Sequence, residues 1–129
     1  EYSSYGGISI GSYANPPQNI VIKNTRIQDS NLEQRYWEDT AAISIGASYN
    51  VKVIGCWITA TTSTPQFIGI YMSDGVASEP YLENNYVSAV GAGGAAYSTK
   101  GNSTLRWYSK NNRAAEGVPL YFGNPPVEL

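Results

Sequence analysis

Histidine is absent from this chain of 129 residues, and cysteine occurs once, as Cys56. Those two absences exclude His-dependent catalytic triads, zinc sites of the usual kind and any internal disulfide. Charge is scarce as well: 14% of residues are ionised, with 8 Lys+Arg against 10 Asp+Glu and a net charge of −2. The bases are scattered, so there is no nucleic-acid footprint, and no apolar run approaches the ~20 residues of a membrane span. Leucine is rare, while Val and Ile together number 19 and Ser, Thr and Asn together 33. Such β-branched, hydroxyl- and amide-rich usage favours strands over helices. The length suits one domain, 1–129. Because Glu1-Tyr2-Ser3-Ser4-Tyr5 leads straight into strand-like sequence, the chain is expected to be a fragment of a longer one.

Two short patterns alternate along the sequence. One is Gly7-Ile8-Ser9-Ile10-Gly11, which returns as Ala42-Ile43-Ser44-Ile45-Gly46, more loosely as Gly69-Ile70-Tyr71-Met72-Ser73, and as Pro119-Leu120-Tyr121-Phe122-Gly123, with a degenerate copy at Ala95–Ser98. The other is Asn19-Ile20-Val21-Ile22-Lys23-Asn24-Thr25-Arg26-Ile27, repeated from Asn50 and from Glu79, with a poorer copy from Thr104. Aligning the second pattern on Asn24, Gly55, Asn84 and Ser109 gives a period of about 25–31 residues, inside the range of stacked repeats. The inward positions then stack as Ile20/Val51/Pro80/Leu105 and Ile22/Val53/Leu82/Trp107, with Ile27, Ile58 and Val87 beyond a sharp bend that contains Cys56. Strands of three to six residues, bends at Asn or Gly and a constant repeat order predict an all-β solenoid: a short parallel β-helix of about four coils, about 20 Å tall. Asn24 and Asn84 are expected to hydrogen-bond along the axis. A β-sandwich accommodates the same strands but not their recurring order.

The two Ile-Ser-Ile-Gly copies and the strand Asn-Ile-Val-Ile-Lys-Asn-Thr-Arg-Ile resemble the coils of right-handed parallel β-helix proteins of the pectin-lyase-like kind, especially phage tailspikes and capsule depolymerases. That resemblance implies an extracellular or virion-surface protein, a polysaccharide partner and a homo-oligomer, a trimer by the spike analogy. No cofactor is expected. The pectinase motif is not met, because Asn24-Thr25 is followed by Arg26 rather than an acid, and there is no Asp-Asp pair. Asp29, Asp39 and Asp74 are the only aspartates of the chain, too few for a calcium cage.

The longest stretch between coils, 29–40, carries Asp29, Glu33, Glu38 and Asp39 beside Tyr36 and Trp37. Long loops on a rigid scaffold are where binding and catalysis concentrate. Glycoside cleavage requires two carboxylates ~5–9.5 Å apart, which makes Glu33, Glu38, Asp39 and Asp74 the candidate catalytic acids. Their plain alternative is a solvated acidic surface. Tyr36, Trp37, Trp57 and Tyr71 are the candidate ligand-binding aromatics. Trp57, Tyr71, Tyr81 and Tyr86 alternate with inward residues and are expected to form one outward apolar face, suited to sugar rings or to a neighbouring subunit. Three readings follow: a polysaccharide-recognising segment of a tailspike or adhesin, a structural or oligomerisation module, and a glycan-cleaving enzyme.

Overall fold

A computed structural model describes residues 7–29, 41–61, 68–73, 76, 78–99 and 104–129. The regular elements among them are all strands. The first coil is β1 (Ile8–Ile10), β2 (Gln18–Lys23) and β3 (Arg26–Gln28), and the second is β4 (Ala41–Ile45), β5 (Tyr49–Ile54) and β6 (Trp57–Thr59). β7 (Ile68–Met72), β8 (Tyr81–Glu83) and β9 (Tyr86–Val87) make the third, and β10 (Ala95–Ser98), β11 (Tyr108–Lys110) and β12 (Arg113–Ala114) the fourth. β13 (Tyr121–Phe122) and β14 (Val127–Glu128) begin a fifth. Each strand pairs in parallel with its counterpart one coil on, giving three sheets: β1-β4-β7-β10-β13, β2-β5-β8-β11-β14 and β3-β6-β9-β12. This is the predicted β-helix, and its parallel pairing excludes the sandwich.

The coils close because the bend between second and third sheets has one repeated geometry. Asn24, Gly55, Asn84 and Asn111 occupy equivalent places with φ of 50°, 65°, 53° and 53°. Asn and Gly are the residues that enter the left-handed region at least cost. At Gly55 a Cβ would also lie 2.5 Å from Asn24 Oδ1. Hydrogen bonding continues around the corner without a gap: Asn24 N–H donates to Ile54 O, Gly55 N–H to Glu83 O and Asn84 N–H to Lys110 O, each at 2.9 Å.

Two expectations are corrected here. The amide ladder runs through Asn85 and Asn112, one residue after the turn position, because Gly55 separates Asn24 from Asn84. Asn85 Nδ2 donates to Val53 O and to Asn112 Oδ1, both at 2.9 Å, while its Oδ1 accepts Cys56 N–H at 2.9 Å. The fourth copy is aligned on Asn111, not Ser109. Its step is 27 residues, and Ser109, not Trp107, pairs with Leu82. Ser109 is a buried polar residue in an apolar column, tolerated because Asn112 Nδ2 donates to its Oγ at 2.8 Å. Cys56 lies buried at the bend, as expected.

Inside the rod the columns are continuous. Ile20 and Val51, then Ile22, Val53 and Leu82, lie in register on the second sheet. Ile8, Ile43, Ile70, Tyr97 and Tyr121 do so on the first. At Gly69 the walls approach so closely that a Cβ would lie 2.6 Å from a Val87 methyl and 2.5 Å from Ala96 O. Aliphatic filling gives way to aromatic along the axis: Tyr97, Trp107 and Tyr121 pack with centroids 5.7–6.4 Å apart. Their polar ends are paired, as buried aromatics require. Tyr97 Oη lies 3.1 and 3.0 Å from the carbonyls of Asn85 and Arg113, and Trp107 Nε1–H donates to Asn124 O at 2.9 Å.

Val53 is fully buried between Ile22 and Leu82. Val53→Asp would place an unpaired charge between coils, and the expected loss exceeds about 4 kcal/mol, read as failure to fold in urea or thermal denaturation.

Burial pushes the Tyr97 phenol well above its ordinary value. Burial, then hydrogen bonding to Glu128, pushes Tyr121 up to about 12. A phenol held neutral in the folded state but ionising near 10 when unfolded favours folding fully below pH ~10. That contribution is lost as pH rises toward about 12 for Tyr121. The tyrosine contribution to the denaturation midpoint is therefore expected to be constant below about pH 10 and to fall above it, with a shallower alkaline fall in Tyr121→Phe.

Candidate ligand-binding faces

Each sheet presents a different outer surface, because register carries one side-chain type from coil to coil. On the first sheet Ser9, Ser44 and Tyr71 form an outward column, which ends at the buried Ser98 in the fourth coil. Small serines in the first two coils and a tyrosine in the third produce a step. A groove of about 280 Å³ lies along it, lined by Ser9, Ser12, Tyr13, Ser44, Tyr71 and Ser73 and floored by backbone at Gly11 and Gly46. The floor is fixed: Gly46 N–H donates to Ile10 O at 2.7 Å and Ser73 N–H to Ile45 O at 2.9 Å. Tyr13 is 82% exposed at the rim. Among the described residues, no lining side chain is charged. Such a groove offers hydroxyls that both donate and accept, together with two phenol rings.

The second sheet carries charge that is locally satisfied. Tyr81 Oη donates to Glu83 at 2.8 Å, which holds that carboxyl below the usual range and raises the phenol. Lys110 stands 3.5 Å from Glu83, and Arg106 stands 3.7 Å from Glu79. Hydrogen bonding to Glu79, foremost, raises the Tyr108 phenol. Lys52 and Arg106 lie over the rings of Tyr81 and Tyr108 at 6.0 and 5.4 Å.

Arg26, Trp57, Tyr86 and Arg113 follow one another on the third sheet. The Trp57 and Tyr86 rings are 5.4 Å apart and tilted by 51°. Arg113 lies 6.0 Å over Tyr86, and a recess of about 180 Å³ opens between Arg26, Trp57 and the Asn24–Gly55 bend.

Of the sequence-predicted site residues, Tyr71 belongs to the groove on the first sheet and Trp57 to the third. They are not brought together. The single aromatic face is thus corrected to three faces, since alternation tells inside from outside but not which of three walls a residue occupies. Glu33, Tyr36, Trp37, Glu38, Asp39 and Asp74 lie outside the described residues. Asp29 is not part of an exposed acid cluster. It is fully buried, with Thr61 N–H and Oγ1–H donating to its two carboxylate oxygens at 2.6 Å each. Sequence reasoning missed Ser9, Ser44, Tyr13, Arg26 and Arg113. The signal for the arginines was present: Arg26, Trp57, Tyr86 and Arg113 each stand two residues after the turn residue.

Among the described residues no helix is long and apolar enough to cross a membrane. Nor does any group of three His, Cys, Asp or Glu residues there meet in a metal-binding arrangement. A family model described as a right-handed beta helix region matches residues 1–120. No curated protein and no solved structure matches the chain.

Proposed function

The chain belongs to the right-handed β-helix family, and from that premise we propose that it is a β-helix module that recognises polysaccharide at an extracellular or virion surface, through the outer groove of the first sheet. The observation that carries this reading is the groove itself: hydroxyl-lined, flanked by Tyr13 and Tyr71, and without a charged side chain among the described lining residues. Sugars present hydroxyls at the ring edge and C–H groups on the ring face. Serine hydroxyls match the first, and phenol rings match the second. Binding is proposed without cleavage, and it does not rest on Glu33, Glu38, Asp39 or Asp74.

Tyr71→Ala is expected to weaken binding by about 1–3 kcal/mol, the scale of one buried aromatic contact. Ser44→Tyr, which fills the step, is expected to abolish it. Glycan-array screening followed by calorimetry on the best hit checks both, with circular dichroism confirming an intact fold. Binding that both variants leave unchanged would remove the groove from the site.

The structural reading keeps one supporting observation. Val21 and Tyr49 are exposed on the second sheet, at 56% and 45%, and Val21 lies beside Lys52 in an otherwise paired surface. If that face joins copies of the chain, light scattering will show a trimer that Val21→Lys returns to monomer.

A further inference from the structure

We propose that the outer face of the third sheet binds a carboxylate-bearing saccharide lying along the rod axis, with Arg26 and Arg113 taking the acid groups and Trp57 and Tyr86 the sugar rings between them. This face is separate from the groove on the first sheet.

Three observations converge. The first is the order of the column: cation, aromatic, aromatic, cation, one per coil. With strands ~4.8 Å apart, the two arginine Cα atoms stand about 14 Å apart across two rows of aromatic rings. That spacing suits acidic sugars separated by a neutral one better than a densely charged chain.

The second is the state of the arginines. Both are exposed, and neither has a carboxylate partner among the described residues. Arg106 and Lys110, on the second sheet, do have such partners. The neighbouring outward residues Gln28, Thr59 and Ser88 carry no charge. Two guanidinium groups with no carboxylate partner among the described residues, in a chain of net charge −2, are a local cationic site suited to bidentate carboxylate binding.

The third is Trp57, 53% exposed beside the recess at the Asn24–Gly55 bend. A large ring this open loses nothing by being covered, and Tyr86 props it at 5.4 Å. The ring offers an apolar platform next to Arg26, which is the pairing of chemistries an acidic pyranose presents. Nucleic acid is the less suitable occupant, because its phosphates place one charge per ~1.7 Å of duplex against only two cations.

The test uses a hyaluronan hexasaccharide, in which acidic and neutral sugars alternate, and its carboxyl-reduced form as probes. Binding is followed by tryptophan fluorescence and calorimetry on the whole chain. The wild type is expected to bind the acidic probe at low salt, more weakly at high salt, and to bind the reduced form at least tenfold more weakly. R26Q/R113Q is expected to lose at least tenfold for the acidic probe. K23Q/K52Q, which removes the same charge from the second sheet, is expected to change binding less than twofold. Circular dichroism and the denaturation midpoint verify that both variants fold. The inference is overturned if the wild type ignores the acidic probe, if the two double variants lose binding equally, or if oligo(dT) binds more tightly than the hexasaccharide. Failure of the groove on the first sheet would leave these outcomes unchanged, because that groove is read by Tyr71 and Ser44.

Discussion

The left-handed residue at the bend between the second and third sheets is the constraint on which the rest of this rod depends. Each coil has to reverse from one wall to the next within two residues while every backbone N–H still finds a carbonyl one coil away. A residue with φ near +55° does this, and four coils place Asn24, Gly55, Asn84 and Asn111 there. The donors on either side of the corner stay paired: Trp57 N–H meets Thr25 O, Tyr86 N–H meets Cys56 O and Arg113 N–H meets Asn85 O, all at 2.9 Å. A register slip of one residue would turn a whole strand inside out. A slip in one direction would also put Lys23, Ile54, Glu83 and Lys110 at the positive φ, so in that direction the bend and the apolar columns enforce the same alignment.

Asn85 shows why an amide stands inside an otherwise apolar wall. Cys56 N–H and Val53 O face the interior at the corner, where the chain leaves one sheet before it joins the next. A buried polar group left without a partner costs about 1–3 kcal/mol. Asn85 supplies both partners at once and passes its second Nδ2 proton to Asn112, whose own Nδ2 reaches Leu82 O at 2.7 Å and Ser109 Oγ at 2.8 Å. Thr25 and Cys56 occupy the same place in the first two coils, and the Cys56 thiol, raised in pKa chiefly by burial, lies 3.8 Å from Ile22 O. The corner thus passes from weak to strong hydrogen bonding along the axis, in step with the interior's change from isoleucine to Tyr97, Trp107 and Tyr121.

The first three coils were legible in the sequence because their inward positions are apolar and their bends are marked by Asn or Gly. The fourth was misread by two residues, and the reason is physical. Matching apolar to apolar sets Trp107 against Leu82, but the rod places Ser109 there and lets Asn112 satisfy it. Had the turn asparagine been weighted above hydrophobicity, Asn111 would have aligned the copy, and Arg113 would have joined Arg26, Trp57 and Tyr86. Outward orientation of Trp57 and Tyr71 was also legible, but their assignment to different walls was not, since period-2 alternation carries no information about which side of a bend a strand lies on. Asp29 misled for a related reason: an acid at the start of a polar stretch looks solvated, whereas here a second coil folds Thr61 over it.

Parallel stacking in register makes a surface that repeats along one direction only. Every outer column is a row of groups ~4.8 Å apart, so any ligand that uses several coils must itself extend along the axis. The first wall offers Ser9, Ser44 and Tyr71 and buries Ser98; the third offers arginine, tryptophan, tyrosine and arginine. The second pairs Glu79 with Arg106 and Glu83 with Lys110, and carries Lys23 and Lys52 outside those pairs. Division of labour among three walls follows from one property of the coil. The bend fixes which residues face inward, and that leaves the alternate positions free to vary by wall without disturbing the core. A linear group laid lengthwise on such a rod follows one wall, so the hydroxyl-lined column of the first sheet and the cationic aromatic column of the third present two separate chemistries to the surroundings.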